Sequence, residues 1–435
     1  MSRLKLIVTL ILAGEMVFGL PFHTARFFRP TYLEVFGFTN TELGDLFAIY
    51  GITAMIAYFP GGALADRYTA RSLLSASLAA TSLGGIYMAT IPGAWQMGAL
   101  YGFWGITTIL LFWGALIRAT RDWGGSNAQG MAFGVLEAGR GFVAASLAAI
   151  CVVLFATLMP EAVEHATDAE RRAAFQVVIL VYALITLMTA VLAWFVIPVP
   201  VDRRGRRSDP LTGMKTVLSR PIIWGQAAVI VCAYCGYKAG DFYALYAQAA
   251  FAMNEVDAAG FVTLVSYMRP IAAIVAGLLA DRFDATRSIG VAFALMFVSY
   301  LSLSTLTPAG PGTSLIYLNV YVSFFAVFAL RGIYFALLEE HSTPKNVTGA
   351  AVGMVSLVGF TPEIFFAPIA GRIVDATPGL AGLQNFFLFL AVIAACGVLT
   401  VAWLIWLKRH GVKSLWPAAE TAHPLVEINS GSDRS

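Results

Sequence analysis

Long apolar runs, each about twenty residues and separated by short charged or Pro/Gly-containing clusters, follow one another along almost the whole sequence. A spanning helix needs about 20 mostly apolar residues, and lipid forces every backbone group to be satisfied within the segment. Runs of that length predict membrane helices; barrel strands would give short alternating segments instead, and none occur. The pattern places helices near 4–22, 43–65, 72–93, 96–118, 131–158 and 175–199, then near 222–250, 258–280, 288–306, 314–338, 348–374 and 384–407. The opening MSRLKLIVTLILAGEMVFG has the basic start and apolar core of a signal peptide. Glu15 interrupts that core and no small-residue cleavage site follows cleanly, so the segment reads as the first spanning helix.

Composition agrees with the pattern. Of 435 residues 59% are hydrophobic and 12% charged, with a mean hydropathy of +0.76, whereas soluble chains carry roughly 25% charge. Twelve spans put both termini on one side. Lys and Arg crowd the loops of that side, while the opposite loops hold only Arg26, Arg29, Arg171, Arg172 and Arg372. The positive-inside rule therefore predicts cytoplasmic termini. The net charge of +3 follows from the same rule and argues for no nucleic-acid partner. Cys151, Cys232, Cys235 and Cys396 all fall in apolar helix, where nothing lowers a thiol pKa, so they read as packing residues.

One charged phrase occurs twice. GALADRYTAR, Gly62 to Arg71, returns as GLLADRFDATR, Gly277 to Arg287, with Asp66 and Asp281 offset by 215 residues. A second pair, AQGMAFGVL around Gly130 and VTGAAVGMV around Gly349, has nearly the same offset. The chain therefore reads as two six-helix halves, 1–199 and 222–408, joined by a basic connector, 200–221, and followed by a polar cytoplasmic tail, 409–435, expected to be disordered. Internal repeats of this type mark secondary transporters, with the substrate site at the midplane between halves.

The phrase resembles the loop signature G-x-L-A-D-R-x-x-x-R of the major facilitator superfamily, which lies between helices 2 and 3 and recurs between helices 8 and 9. The resemblance extends to about residue 408 and implies the all-α, twelve-helix major facilitator fold. It also implies a gate: Gly62 and Gly277 allow close helix approach, while Asp66 and Asp281, with Arg67, Arg71, Arg282 and Arg287, pair with helix ends and with Arg118 and Arg121 when the cytoplasmic side is shut. Within the superfamily, ADRYTARSLL and GFTNTELG resemble the organophosphate:phosphate antiporter family and its uncharacterised bacterial inner-membrane relatives. Aligned at Gly130, that family's helix-5 site histidine falls on Arg140 and its neighbouring asparagine on Glu137. Its helix-7 arginine falls at or near Lys238. Its helix-1 arginine has no ungapped match: Arg26 is nearest across a gap of about one turn, and His23 is the position paired with Lys238 by the 215 offset.

Ionisable residues inside a membrane are costly and mark function by default. The acids are Glu15, Glu137, Asp241 and Glu363; the bases are Arg140, Lys238, Arg269 and Arg331. At about 1.5 Å rise per residue, Glu15, Arg140, Arg269 and Arg331 lie near the middle of the bilayer, whereas Lys238 and Asp241 are expected nearer the outer face and partly wet. Glu137/Arg140 and Lys238/Asp241 are i,i+3 pairs and share helix faces. If one carboxyl carries a proton, the cavity becomes net positive and suits an anion. Arg140, Lys238, Arg269 and Arg331, with Tyr237 and Tyr267, are the substrate-binding candidates; Glu15, Glu137, Asp241 and Glu363 are the coupling candidates.

No phosphate-cradling GK[ST] loop, HExxH spacing or G-x-S-x-G elbow occurs, which leaves no basis for ATP drive, a metal, a cofactor or an enzyme. The expectation is a monomeric secondary transporter of a small polar organic anion in a bacterial inner membrane, by proton coupling or exchange. The rival readings are a transporter-like sensor of such an anion and an amphiphile efflux pump.

Overall fold

The apolar runs become twelve long helices. The computed structural model describes residues 3–125, 129–199, 217–308, 311–340 and 348–409. Its helices are α1 (Arg3–Phe27), α2 (Asn40–Arg67), α3 (Ala70–Met88), α4 (Ala94–Gly124), α5 (Met131–Leu158), α6 (Asp168–Val196), α7 (Pro221–Phe251), α8 (Glu255–Leu279), α9 (Ala285–Thr305), α10 (Gly312–Ile333), α11 (Ala351–Ala376) and α12 (Leu380–Arg409). All but α3 are long and apolar enough to cross a membrane; α3 is rich in Ser, Thr and Gly that face its neighbours. No strand occurs among the described residues. Most of the connector and the whole tail after residue 409 lie outside them.

Polar caps set the helix starts. Thr39 and Glu42 form a reciprocal capping box at the start of α2, and Thr167 and Glu170 form another at α6. The second box explains a difference from the sequence pattern, which starts this helix at 175. Its first two turns, Asp168 to Ala174, are too polar to look like a span, yet the cap fixes them as helix. Of the polar loop before it, only Val163–His165 forms a turn of helix of its own.

The packing repeats. In the first six helices α1 contacts α5 and α6, α3 contacts α6, and α2 contacts α4; in the last six the equivalent pairs are α7 with α11 and α12, α9 with α12, and α8 with α10. The two sets meet through another equivalent pair of contacts, α2 against α11 and α5 against α8.

The α2–α11 contact is very close because glycines form it. A Cβ on Gly44 would lie 2.4 Å from the Ala367 carbonyl oxygen, one on Gly51 2.6 Å from that of Glu363, and one on Gly371 2.4 Å from that of Asn40. These residues lie from the middle of the bundle toward the end opposite the termini, the far end. Polar contacts between the two sets close the same end. Asp375 accepts from Thr41 N at 2.7 Å and Asn40 Nδ2 at 3.0 Å. Arg372 pairs with Asp45 at 2.8 Å, Arg171 with Glu255 at 2.6 Å, and Thr31 donates to Glu255 at 2.7 Å.

The opposite end differs. Gly62 and Gly277, expected to bring helices together, face open space, since a Cβ on either would meet nothing within 4 Å. The described polar contacts between the two sets thus seal the far end, whereas at the end carrying the termini, the parted end, these two glycines meet no neighbouring helix.

Candidate functional site

Five spans interrupt their α-helical hydrogen bonding. In α1 a π-helical turn, Gly19–His23, contains Pro21, which has no N–H to donate; in α4 a second π turn covers Thr107–Trp113. α7 tightens to a 3-10 turn at Ala239–Phe242. α8 breaks at Tyr267, three residues before Pro270, and α11 breaks at Phe360 and Thr361 before Pro362. Such irregularities in membrane helices are tolerated where protein or a cavity surrounds them, and π turns recur at functional sites.

Between these turns lies a cavity of about 110 Å³. Glu15, His23, Arg26 and Arg140 line it from the first six helices, and Lys238, Arg331 and Glu363 from the last six. Aromatic rings, among them Phe22, Tyr58, Trp113, Tyr234, Tyr237 and Phe360, form most of the remaining wall.

The charged groups fall into two clusters. In the first, Glu15 is 1% exposed and holds three groups at once: Arg140 Nε at 2.9 Å, Arg269 Nη1 at 3.2 Å and His23 Nε2 at 3.3 Å. Glu137 bonds Arg140 Nη1 and, at 3.1 Å, Arg269 Nη2. The four side chains form an alternating ring of acids and bases, with Arg269 supplied by the other set of helices. In the second cluster Arg26 donates to Asp241 at 2.6 Å and to the Tyr237 hydroxyl at 3.0 Å. Lys238 Nζ stands 3.6 Å from Asp241 and 3.2 Å from Glu363.

Arg331 belongs to neither. Its guanidinium carbon sits 3.9 Å from the Tyr237 ring centre, and its Nη1 has no hydrogen-bond partner among the described residues.

Several sequence expectations change here. Lys238 and Asp241 are each 2% exposed, not partly wet, because Arg26 and Glu363 complete their cluster. Each of the two i,i+3 pairs shares its charges with other helices. Arg26, Arg29 and Arg171, assigned to outer loops, are 7%, 1% and 8% exposed. Arg26 completes the Asp241 pair, Arg171 closes on Glu255, and Arg29 donates to Asn40 Oδ1 at 3.0 Å. Tyr267 does not line the cavity; its hydroxyl donates to Ser146 Oγ at 3.4 Å, joining α8 to α5.

The repeated phrase lies at the parted end. Asp66 is exposed, and Arg118 donates to the Ala65 carbonyl at 2.7 Å, a helix-end contact within the first set. Arg71 covers the Trp194 ring at 4.7 Å, Arg282 covers Phe283 at 5.4 Å, and the Arg287 N–H donates to Asp284 at 3.2 Å. The side chain of Asp281 lies outside the described residues. Nearby, Glu340 accepts from Lys408 Nζ at 2.8 Å and from Thr286 N at 2.9 Å. Burial would raise its carboxyl, but these bonds outweigh burial and hold it down at about 2.

Twelve helices in two equivalent sets around a charged cavity define a polytopic transporter fold. The family model described as Major Facilitator Superfamily matches residues 11–368, and the chain belongs to that superfamily: it is an integral membrane transporter, not an enzyme. The inner membrane protein YqcE of Escherichia coli (strain K12) is 28% identical over 375 residues, covering 84% of this chain and 85% of that protein. The inner membrane protein YihN of the same strain is 25% identical over 406 residues, covering 91% and 94%. Among solved structures, a mutant of the nucleoside transporter NupG superposes with a TM-score of 0.70 at 14% identity, over 92% of this chain and 99% of that one. A bacterial homologue of the human lysosomal transporter Spinster, inward-facing and unoccupied, also gives 0.70, at 13% identity, over 96% and 98%. At these identities the structural likeness establishes the fold alone.

Proposed function

We propose that this transporter is a secondary one that moves a small polar organic anion across a bacterial inner membrane by alternating access. The observation that carries the reading is a charge inventory. Arg26, Arg140, Lys238, Arg269 and Arg331 stand in or against the cavity wall beside Glu15, Glu137, Asp241 and Glu363, so one cation is left over even when every carboxyl is ionised. Arg331 is that cation. Arg140 and Arg269, first candidates from sequence, have their charges met by Glu15 and Glu137, which suits the coupling ring better than the primary anion contact.

With cytoplasmic termini, as the distribution of Lys and Arg favours, the parted end faces the cytoplasm and the far-end seal faces outward. The arrangement is then an inward-open state. Rocking of residues 1–199 against 222–408 would open the Arg171–Glu255 and Asp375–Thr41 contacts and bring the repeated GxLADR segments together. The ring of Glu15, Arg140, Glu137 and Arg269 spans both halves, so protonating either acid loosens the link between them. That gives proton coupling a physical route.

Uptake into proteoliposomes of a labelled panel of sugar acids, phosphorylated sugars and dicarboxylates, with and without a pH gradient, tests the proposal. Saturable accumulation of an anion supports it. Binding without accumulation would favour the sensor reading, and uptake of apolar amphiphiles alone would favour efflux.

A further inference from the structure

Resting on the anion reading, the geometry points to a narrower ligand class: a ring-bearing carboxylate that carries a single negative charge. Three observations converge on it.

The first is the size of the charge excess. His23 lies against the Glu15–Arg140–Arg269 cluster, with Arg26 on the next turn of α1, and its Nε2 is 3.3 Å from Glu15. With this imidazole neutral, the five cations and four carboxylates leave one positive charge, which one bound anionic charge cancels. Arg29 does not line the cavity, and Asp375, reached through Asn40, offsets its charge, so the pair leaves the excess unchanged. A second ligand charge would have no counter-charge, and an unpaired charge becomes costly once the site closes away from water.

The second is the form of the free cation. Arg331 is held over Tyr237 at 3.9 Å, a contact that positions its guanidinium, and its Nη1 is buried without a hydrogen-bond partner among the described residues. A planar, pre-oriented guanidinium suits the two oxygens of a carboxylate.

The third is the wall around it. Tyr58, Trp113, Tyr234 and Phe360 line the cavity, and its volume of about 110 Å³, below the roughly 150 Å³ of a cavity known to accept a benzene ring, limits a ligand to one ring. One ring fits there, with its carboxylate toward Arg331.

A charge series on one ring tests the assignment: benzoate (one charge), phthalate (two) and benzyl alcohol (none), titrated onto the purified full-length protein at pH 7.5 and constant ionic strength, with Tm as the readout. Benzoate is expected to stabilise saturably, with an apparent Kd about tenfold or more below that of phthalate and of benzyl alcohol, the scale of one hydrogen bond to a charged group. Arg331→Gln should abolish the preference for benzoate over benzyl alcohol, and Arg331→Lys should keep most of it. The unliganded Tm of both variants controls for folding. Tighter binding of phthalate than of benzoate would overturn the single-charge inference while leaving the anion reading intact. Equal binding of benzyl alcohol and benzoate would overturn both. No shift with any probe would overturn the ring-carboxylate assignment, and the uptake panel would then judge the anion reading by itself.

Discussion

Arg269 on α8 reaches across the interface between the two sets of helices and places Nη1 3.2 Å from Oε1 of Glu15 on α1, a carboxylate that is 1% exposed. Glu15 also holds Arg140 of its own set at 2.9 Å. Removing one partner of a buried ion pair typically costs about 3–5 kcal/mol, because the other charge is left unmatched. Arg269→Gln is therefore expected to lower the Tm of the purified protein substantially. The double variant Glu15→Gln/Arg269→Gln should recover part of the loss, and strictly additive effects would show that the pair is not coupled.

The far-end seal depends on missing side chains. Gly371→Val would push a Cβ to within 2.4 Å of the Asn40 carbonyl oxygen, so α2 and α11 would have to separate. The variant should favour the state open at the far end. In a background without the four native cysteines, a Thr31→Cys reporter, buried at this end, should react faster with a membrane-impermeant maleimide when Gly371 is Val. Unchanged labelling would mean that another contact controls closure.

Gly62 makes the opposite case. Nothing lies within 4 Å of a Cβ placed there, so Gly62→Leu should leave the Tm of the protein nearly unchanged, as surface substitutions do within about 0.5 kcal/mol. The larger side chain should nonetheless obstruct closure of the parted end, and transport should fall at least about tenfold, a barrier of about 1.4 kcal/mol. Wild-type transport by this variant would remove the glycine from the gate.

Glu340 gives a pH signature at the end carrying the termini. Its carboxyl is held near 2 against an ordinary value of 4.5, so the folded state favours the ionised form. That stabilisation is complete above the ordinary value and is lost as pH falls from 4.5 toward 2. The Tm difference between the protein and Glu340→Gln should be flat from pH 8 to about pH 5.5 and shrink below about pH 4.5. A difference as large at pH 3 as at pH 8 would show that the bonds from Lys408 and Thr286 are not its source.

The helices were legible because lipid imposes one length and one polarity, and the repeated charged phrase gave the family. Hydropathy failed at Asp168–Ala174, where a cap outweighs polarity, and at Arg26, Arg29 and Arg171. Arginines just beyond an apolar run look like loop residues until the fold sets Asp241, Asn40 and Glu255 opposite them. The acids and bases of the site could be named from sequence, since charge in a membrane is conspicuous, but their pairing could not. That Glu15 and Glu137 would meet Arg140 and Arg269, leaving Arg331 without a carboxylate among the described residues, depends on how helices from the two sets cross, and no spacing within one helix encodes it. Tyr267 shares a helix with Arg269, yet the break at that residue turns its hydroxyl toward Ser146.

If the surplus charge sits on Arg331, initial uptake rates of the preferred anion of the panel, in proteoliposomes containing the wild-type, Arg331→Lys and Arg331→Gln proteins, will depend on that side chain's charge. Arg331→Gln is expected to lose about a hundredfold or more in kcat/KM, about 2.7 kcal/mol, while Arg331→Lys stays within about tenfold of wild type. Wild-type uptake by Arg331→Gln would contradict it and return the anion contact to the paired bases of the ring.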